Sequence, residues 1–81
     1  MKKIAFTSQA QADVRRLDQP TAMRIFEVLR RFSQTGVGDV KALKGESGEC
    51  RLRVGDYRIR YIEQAETLVI KRVVHRSDAY R

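Results

Sequence analysis

Arginines recur at every second position on either side of Gly55-Asp56: Arg51 and Arg53 before it, Arg58 and Arg60 after it. A guanidinium grips phosphate through two parallel N–H bonds, stacks on bases, and keeps its proton at any physiological pH. Four together can hold a phosphate chain and stabilise charge building on it, but they cannot accept a proton from it. Groups able to move protons are few. His75 is the sole histidine, and an unperturbed imidazole, with a pKa of about 6.5, suits a general base. It sits in an apolar run, where a packed structural residue is the simpler reading. Arg76 follows directly, and neighbours on a regular strand point to opposite faces, so the two are not expected to meet one ligand together. Tyr80 offers a ring for stacking and a hydroxyl. Glu46 and Glu49 are nearby carboxylates, read as solvated unless a base is required. Tyr57, Tyr61 and Cys50 alternate with the arginines and are read as core. One cysteine and one histidine supply neither a disulfide nor a zinc cluster, and no metal or other cofactor is expected.

The elements that would position these residues follow from periodicity. Gly55-Asp56 is a two-residue hairpin signal. Taken literally, it sets Val54 opposite Tyr57, Leu52 opposite Ile59 and Cys50 opposite Tyr61. The same register sets Arg53 opposite Arg58 and Arg51 opposite Arg60, on the other face. A one-residue slip would bury the arginines instead. Like charges facing each other cost about 0.2–1 kcal/mol per pair, so this face reads as a binding surface rather than a merely solvated one. Upstream, Lys3 to Thr7 reads as a strand, and Thr7 or Ser8 as a helix cap, Ser8 with Gln11 fitting a capping box. Ala10, Val14 and Leu17 mark a first helix, with Asp13, Arg15 and Arg16 on its outer side. Pro20 suits the first turn of a second helix, whose apolar stripe is Ala22, Ile25, Phe26, Leu29 and Phe32. Gly36 and Gly38 end it. Val40 to Gly48 reads as a loop. Leu68 to His75, an apolar run interrupted by Lys71 and Arg72, suits a central strand with neighbours on both sides. The expected fold class is α+β, in the order β-α-α-β-β-β, an antiparallel sheet with a helical hairpin packed on one face. Residues 1–81 are expected to form one domain.

Bulk properties agree with this reading. The chain has 81 residues, 42% hydrophobic, and carries a net charge of +7, which favours a polyanionic partner. The apolar run at the N-terminus stops at Phe6, too short for a secretory leader, and no stretch reaches membrane-spanning length. A cytoplasmic location without membrane attachment is expected. An antiparallel sheet covered on one side leaves the other open, and that open arginine face is the expected RNA surface. DNA reading would more often place a helix in the major groove, and these helices look committed to the core.

Three segments carry a resemblance. Ala42-Leu43-Lys44-Gly45, the hairpin from Leu52 to Tyr61, and His75-Arg76-Ser77-Asp78-Ala79-Tyr80 are similar to the loop, hairpin and ending of the RelE/ParE toxin superfamily, over essentially the whole chain. The resemblance implies the toxin of a type II toxin–antitoxin system, with a cognate antitoxin as protein partner. For a RelE-like member it implies a ribosome-dependent endoribonuclease that cuts mRNA through the 2′-OH beside the scissile phosphate, without metal. It further implies catalytic roles for Arg51, Arg53, Arg58, Arg76 and Tyr80; Arg51, Arg53, Arg58, Arg60 and Lys44 are the expected RNA contacts. In some active members basic positions here filled by Arg carry Lys. Two other functions remain open: a ParE-like inhibitor of DNA gyrase on the same scaffold, and a non-catalytic RNA-binding module, although this sheet face lacks the aromatic pairs of a stacking platform.

Overall fold

The structure, a computed structural model, describes residues 2–43 and 48–78. Seven elements follow in order: β1 (Lys3–Phe6), α1 (Ser8–Arg15), α2 (Gln19–Thr35), β2 (Asp39–Ala42), β3 (Glu49–Val54), β4 (Tyr57–Gln64) and β5 (Thr67–His75). The strands form one five-stranded sheet in the order β1-β5-β4-β3-β2. The α+β class with a helical hairpin on one face is the expected one, and the sheet differs from expectation in two respects. It is mixed, because β1 runs parallel to β5. It also has a strand, β2, where a loop was expected. All four β2 residues are exposed, so the segment carries no buried-and-exposed alternation, and its ladder to β3 alone makes it a strand.

Local chemistry sets the helices. Thr7, not Ser8, caps α1, its Oγ1 accepting from the Ala10 N–H at 3.1 Å. Asp18 caps α2, its carboxylate accepting from the Thr21 N–H at 3.3 Å, and Pro20 sits in the first turn. Gly36 closes α2 at φ 74°, a conformation that costs glycine nothing. The stripe then packs on the sheet: Ile25 and Leu29 of α2 are fully buried with Leu52, Ile59, Leu68 and Ile70. Phe26, expected in this core, is half-exposed. It lies at the rim, with its ring edge-on to Phe6 at 5.7 Å.

The β3–β4 ladder has the register set by Gly55-Asp56, including Arg51 opposite Arg60 and Arg53 opposite Arg58. Gly55 has φ 59° and Asp56 does not share the positive sign, the pattern of a type II′ hairpin turn. β5 is the expected strand with two neighbours, β1 and β4. It is not regular, however. Arg60 pairs with Arg72, but Tyr61 pairs with Ile70, so Lys71 bulges out of the ladder. A bulge reverses which face the following residues occupy. Ile70 and Val73 consequently both point into the core.

Candidate nucleic-acid interface

Cross-strand pairing assembles the uncovered face row by row. Lys41 of β2 pairs with Arg51 of β3, Arg51 with Arg60 of β4, and Arg60 with Arg72 of β5. Four cations therefore line up across four strands, spaced at about the 4.8 Å of neighbouring strands. The adjacent row holds Asp39, Arg53, Arg58 and Val74. Sequence reasoning supplied the middle of this arrangement and missed its ends. Lys41 was hidden in a segment read as loop. Arg72 interrupts an apolar run in the sequence, and joins the row only because the Lys71 bulge turns it there.

Two of the cations are held by buried carboxylates. Glu49, whose side chain is only 7% exposed, pairs with Arg60 Nε at 2.7 Å. Glu49 is thus neither solvated nor free to act as a base. The Arg72 guanidinium passes around the sheet edge to Asp13, with Nε to Oδ2 at 2.9 Å. Asp13 was expected on the outer side of α1, but it is 5% exposed. The same Oδ2 accepts the Val73 N–H at 2.9 Å, and Gln9 Nε2 donates to Oδ1 at 3.2 Å. β1 ends at Phe6, so the second half of β5 has no strand on the side away from β4, and Thr7 and Asp13 take over its ladder groups there. Thr7 Oγ1 donates to the Lys71 carbonyl at 3.2 Å. Burial alone would raise the Asp13 pKa; the hydrogen bonds from Arg72, Val73 and Gln9 outweigh it and hold the carboxyl below its ordinary value. The signal was present in the sequence: position 13 lies on the stripe of Ala10, Val14 and Leu17, and a carboxylate on a buried stripe requires a partner.

Lys41 and Arg51 make no ion pair among the described residues, and Arg51 Nε is buried there without a hydrogen-bond partner. Arg53 Nε donates to the Gly55 carbonyl at 3.4 Å. Groups of this kind can bind phosphate oxygens. Arg keeps its proton, so the arginines are suited to stabilising negative charge rather than to transferring a proton.

The C-terminal candidates divide. His75 pairs with Tyr57, on the helix side of the sheet, with the two rings edge to face at 5.2 Å. Regular alternation from Ile70 would have put His75 with the arginines; the bulge sends it to the other face. Its Nδ1 accepts the Ser77 N–H at 3.2 Å and lies 2.9 Å from Ser77 Oγ. The neighbouring cavity of about 420 Å³ is lined by Asp13, Arg16, Tyr57, Arg72 and His75 among others. Arg76 is exposed, in a turn tied to the hairpin by its N–H bond to the Asp56 carbonyl at 2.7 Å. Lys44, Glu46 and Tyr80 lie outside the described residues. Tyr61 is core as expected: burial first, then Cys50, pushes its pKa up to about 12. Among the described residues no cluster of His, Cys, Asp or Glu is arranged to hold a metal, and no helix is long and apolar enough to cross a membrane.

Residues 4–80 match the family described as the ParE toxin of the type II toxin–antitoxin system parDE. A curated relative, Toxin RelE3 of Methanocaldococcus jannaschii, is 40% identical over 42 residues, 52% of this chain. The matched stretch spans about half, 48%, of that relative's length. Among solved structures, the RelB–RelE antitoxin–toxin complex from Methanococcus jannaschii aligns with a TM-score of 0.79 and 25% identity, covering 94% of each chain. The toxin–antitoxin complex RelBE2 from Mycobacterium tuberculosis aligns with a TM-score of 0.75 and 31% identity, over 91% of this chain and 96% of that one.

Proposed function

The chain belongs to the ParE toxin family of type II toxin–antitoxin systems, and we propose that it acts by cutting mRNA on the ribosome and is silenced by a cognate antitoxin. The observation that carries this reading is the row of cations across an uncovered sheet face. Like charges opposed across a ladder destabilise it, and a bound phosphate chain reverses that penalty. The antitoxin follows from the complexes above, and a partner for so basic a surface is expected to be acidic and amphipathic.

In the proposed step the 2′-oxygen attacks the adjacent phosphorus and the bond from phosphorus to the 5′-oxygen breaks. The 2′-hydroxyl proton leaves to a base and the 5′-oxygen gains a proton, giving a cyclic phosphate and a 5′-hydroxyl end. Arg58 stabilises the charge on the phosphorane-like transition state, and Arg51, Arg53 and Arg60 anchor flanking phosphates. Lys44 is assigned a further RNA contact. Arg76 assists the leaving group, and Tyr80 stacks on a base or orients the 2′-hydroxyl. His75 is the remaining candidate base, and would reach the RNA only around the end of β5. Nothing in this scheme needs a metal.

The experiment is primer extension on mRNA bound to ribosomes, with naked mRNA and the Arg58→Ala protein alongside. Cuts in the A-site codon that need ribosomes and vanish in the variant are expected. Folded protein that leaves both RNAs intact removes the nuclease. Gyrase inhibition is the second reading, favoured by the match to the ParE description and by an arginine face without an evident proton acceptor. A supercoiling assay reads it directly. RNA binding without cutting would leave the non-catalytic module.

A further inference from the structure

The two sides of the sheet end differently. On the β5 side, Thr7 and Asp13 occupy the ladder groups that β1 does not reach. On the other side, β2 carries no further strand among the described residues, and all four of its residues are exposed. Val40 is 39% exposed, and Val37 just before the strand, at 73%, is the most exposed large hydrophobic residue described. Open, partly apolar edges invite another strand.

The ladder shows which groups of β2 point outward. Leu43 N–H donates to the Glu49 carbonyl at 3.0 Å. Hydrogen bonding alternates along an antiparallel pair, so Lys41 and Asp39 spend their backbone groups on Arg51 and Arg53. The N–H and C=O of Val40 and Ala42 therefore face away from the sheet. The strand Asp39-Val40-Lys41-Ala42 is self-complementary when reversed about Val40. Val40 then meets Val40 of a second copy and exchanges both backbone bonds with it. Asp39 falls opposite Lys41 of the other copy, and Lys41 opposite Asp39. Such non-hydrogen-bonded pairs bring side chains closest, with Cα atoms about 4.5 Å apart. Gly38 meets Ala42, and Val37 meets Leu43. Centring on Asp39 or Lys41 instead would keep the backbone groups matched but would oppose like charges on the axis. A shift by one residue would mismatch donors and acceptors.

We propose that this chain forms a homodimer by antiparallel pairing of β2 with β2 of a second copy, centred on Val40. The two-fold axis stands perpendicular to the sheet, so both arginine faces lie on the same side. The Lys41–Arg72 row of one copy then continues, where Lys41 meets Asp39, into the Asp39–Arg53–Arg58 row of the other. Four residues per strand make a small interface, and association is therefore concentration-dependent.

Sedimentation velocity of the purified chain across a concentration series tests this. The 9.4 kDa species should convert to one of twice that mass as concentration rises. Lys41→Glu places like charges across the axis and should weaken association about tenfold. Adding Asp39→Lys to that variant reverses both pairs and should restore it. Val40→Pro removes an N–H that only the dimer uses, leaving the β2–β3 ladder of the monomer intact, and should abolish association. Circular dichroism confirms that each variant is folded. Amide exchange should slow with concentration at Val40 and Ala42, and stay constant at Asp39 and Lys41. A monomer at the highest soluble concentration overturns the proposal. So does a dimer indifferent to Lys41→Glu and Val40→Pro, or a loss that the charge exchange does not restore.

Discussion

Asp13 shows how one residue can carry two jobs that its neighbours in sequence do not announce. It completes the ladder of β5 and fixes Arg72 at the end of the basic row. Asp13→Asn keeps the shape and removes the charge. At neutral pH it should cost about 1.5–3 kcal/mol, the range for hydrogen bonds to a charged group. The lower end is expected because the Arg72 side chain is 41% exposed and solvent screens it. Urea unfolding measures this. The carboxyl pKa is lowered in the folded chain, so the unfolded chain binds the proton more readily. Its contribution is fully present above the unfolded value of about 3.9 and is lost as pH falls through the folded one. The gap between wild type and Asp13→Asn should therefore close on acidification below about pH 4. A gap unchanged at low pH would mean that the charge is not what matters. The arginines of the hairpin were legible because alternation and a Gly-Asp turn leave one register. The burial of Asp13 was legible from its place on the stripe of Ala10, Val14 and Leu17, but its partner was not, because Arg72 lies 59 residues away.

At the scale of elements, turns set the register and the bulge sets the faces. The β4–β5 turn places Ala65 at φ 53°, where a side chain costs about 1 kcal/mol or more. Ala65→Gly relieves this, offset in part by the greater freedom of glycine in the unfolded chain. A net gain of about 0.5 kcal/mol is expected, seen as a rise in Tm of about 2–4 °C. An unchanged or lower Tm would show that the turn is not strained. The Gly55-Asp56 turn was legible from its two residues, whereas the Lys71 bulge was not. Nothing in Ile70-Lys71-Arg72-Val73 distinguishes a bulge from an interruption, since both read as two cations in an apolar run. The β4 register decides, through Arg60 with Arg72 and Tyr61 with Ile70. β2 escaped for a related reason: an exposed edge strand needs no apolar alternation.

Over the whole molecule, a charge of +7 forecasts a polyanion but says nothing about where it lies. The fold answers by facing one side of the sheet with helices and the other with cations. Counterion release makes the answer measurable, because each phosphate neutralised on single-stranded RNA contributes about −0.7 to the slope of log K against log salt. If the open face is the contact surface, replacing Arg51, Arg53 or Arg58 by Ala should each flatten the slope by about 0.7. Arg60→Ala should flatten it less, because Glu49 already neutralises that guanidinium at 2.7 Å. His75→Ala should leave it unchanged, because the bulge places His75 beside Tyr57 under the helices. Binding of a short oligonucleotide by each variant, titrated at several salt concentrations, gives the slopes. The ordering is diagnostic where a bare loss of affinity is not. A misfolded variant loses affinity at every salt, but only a lost phosphate contact lowers the slope by one increment. Equal slopes for Arg51→Ala and the wild type would move the nucleic acid off this face. A full increment at His75 would put the RNA around the end of β5 instead.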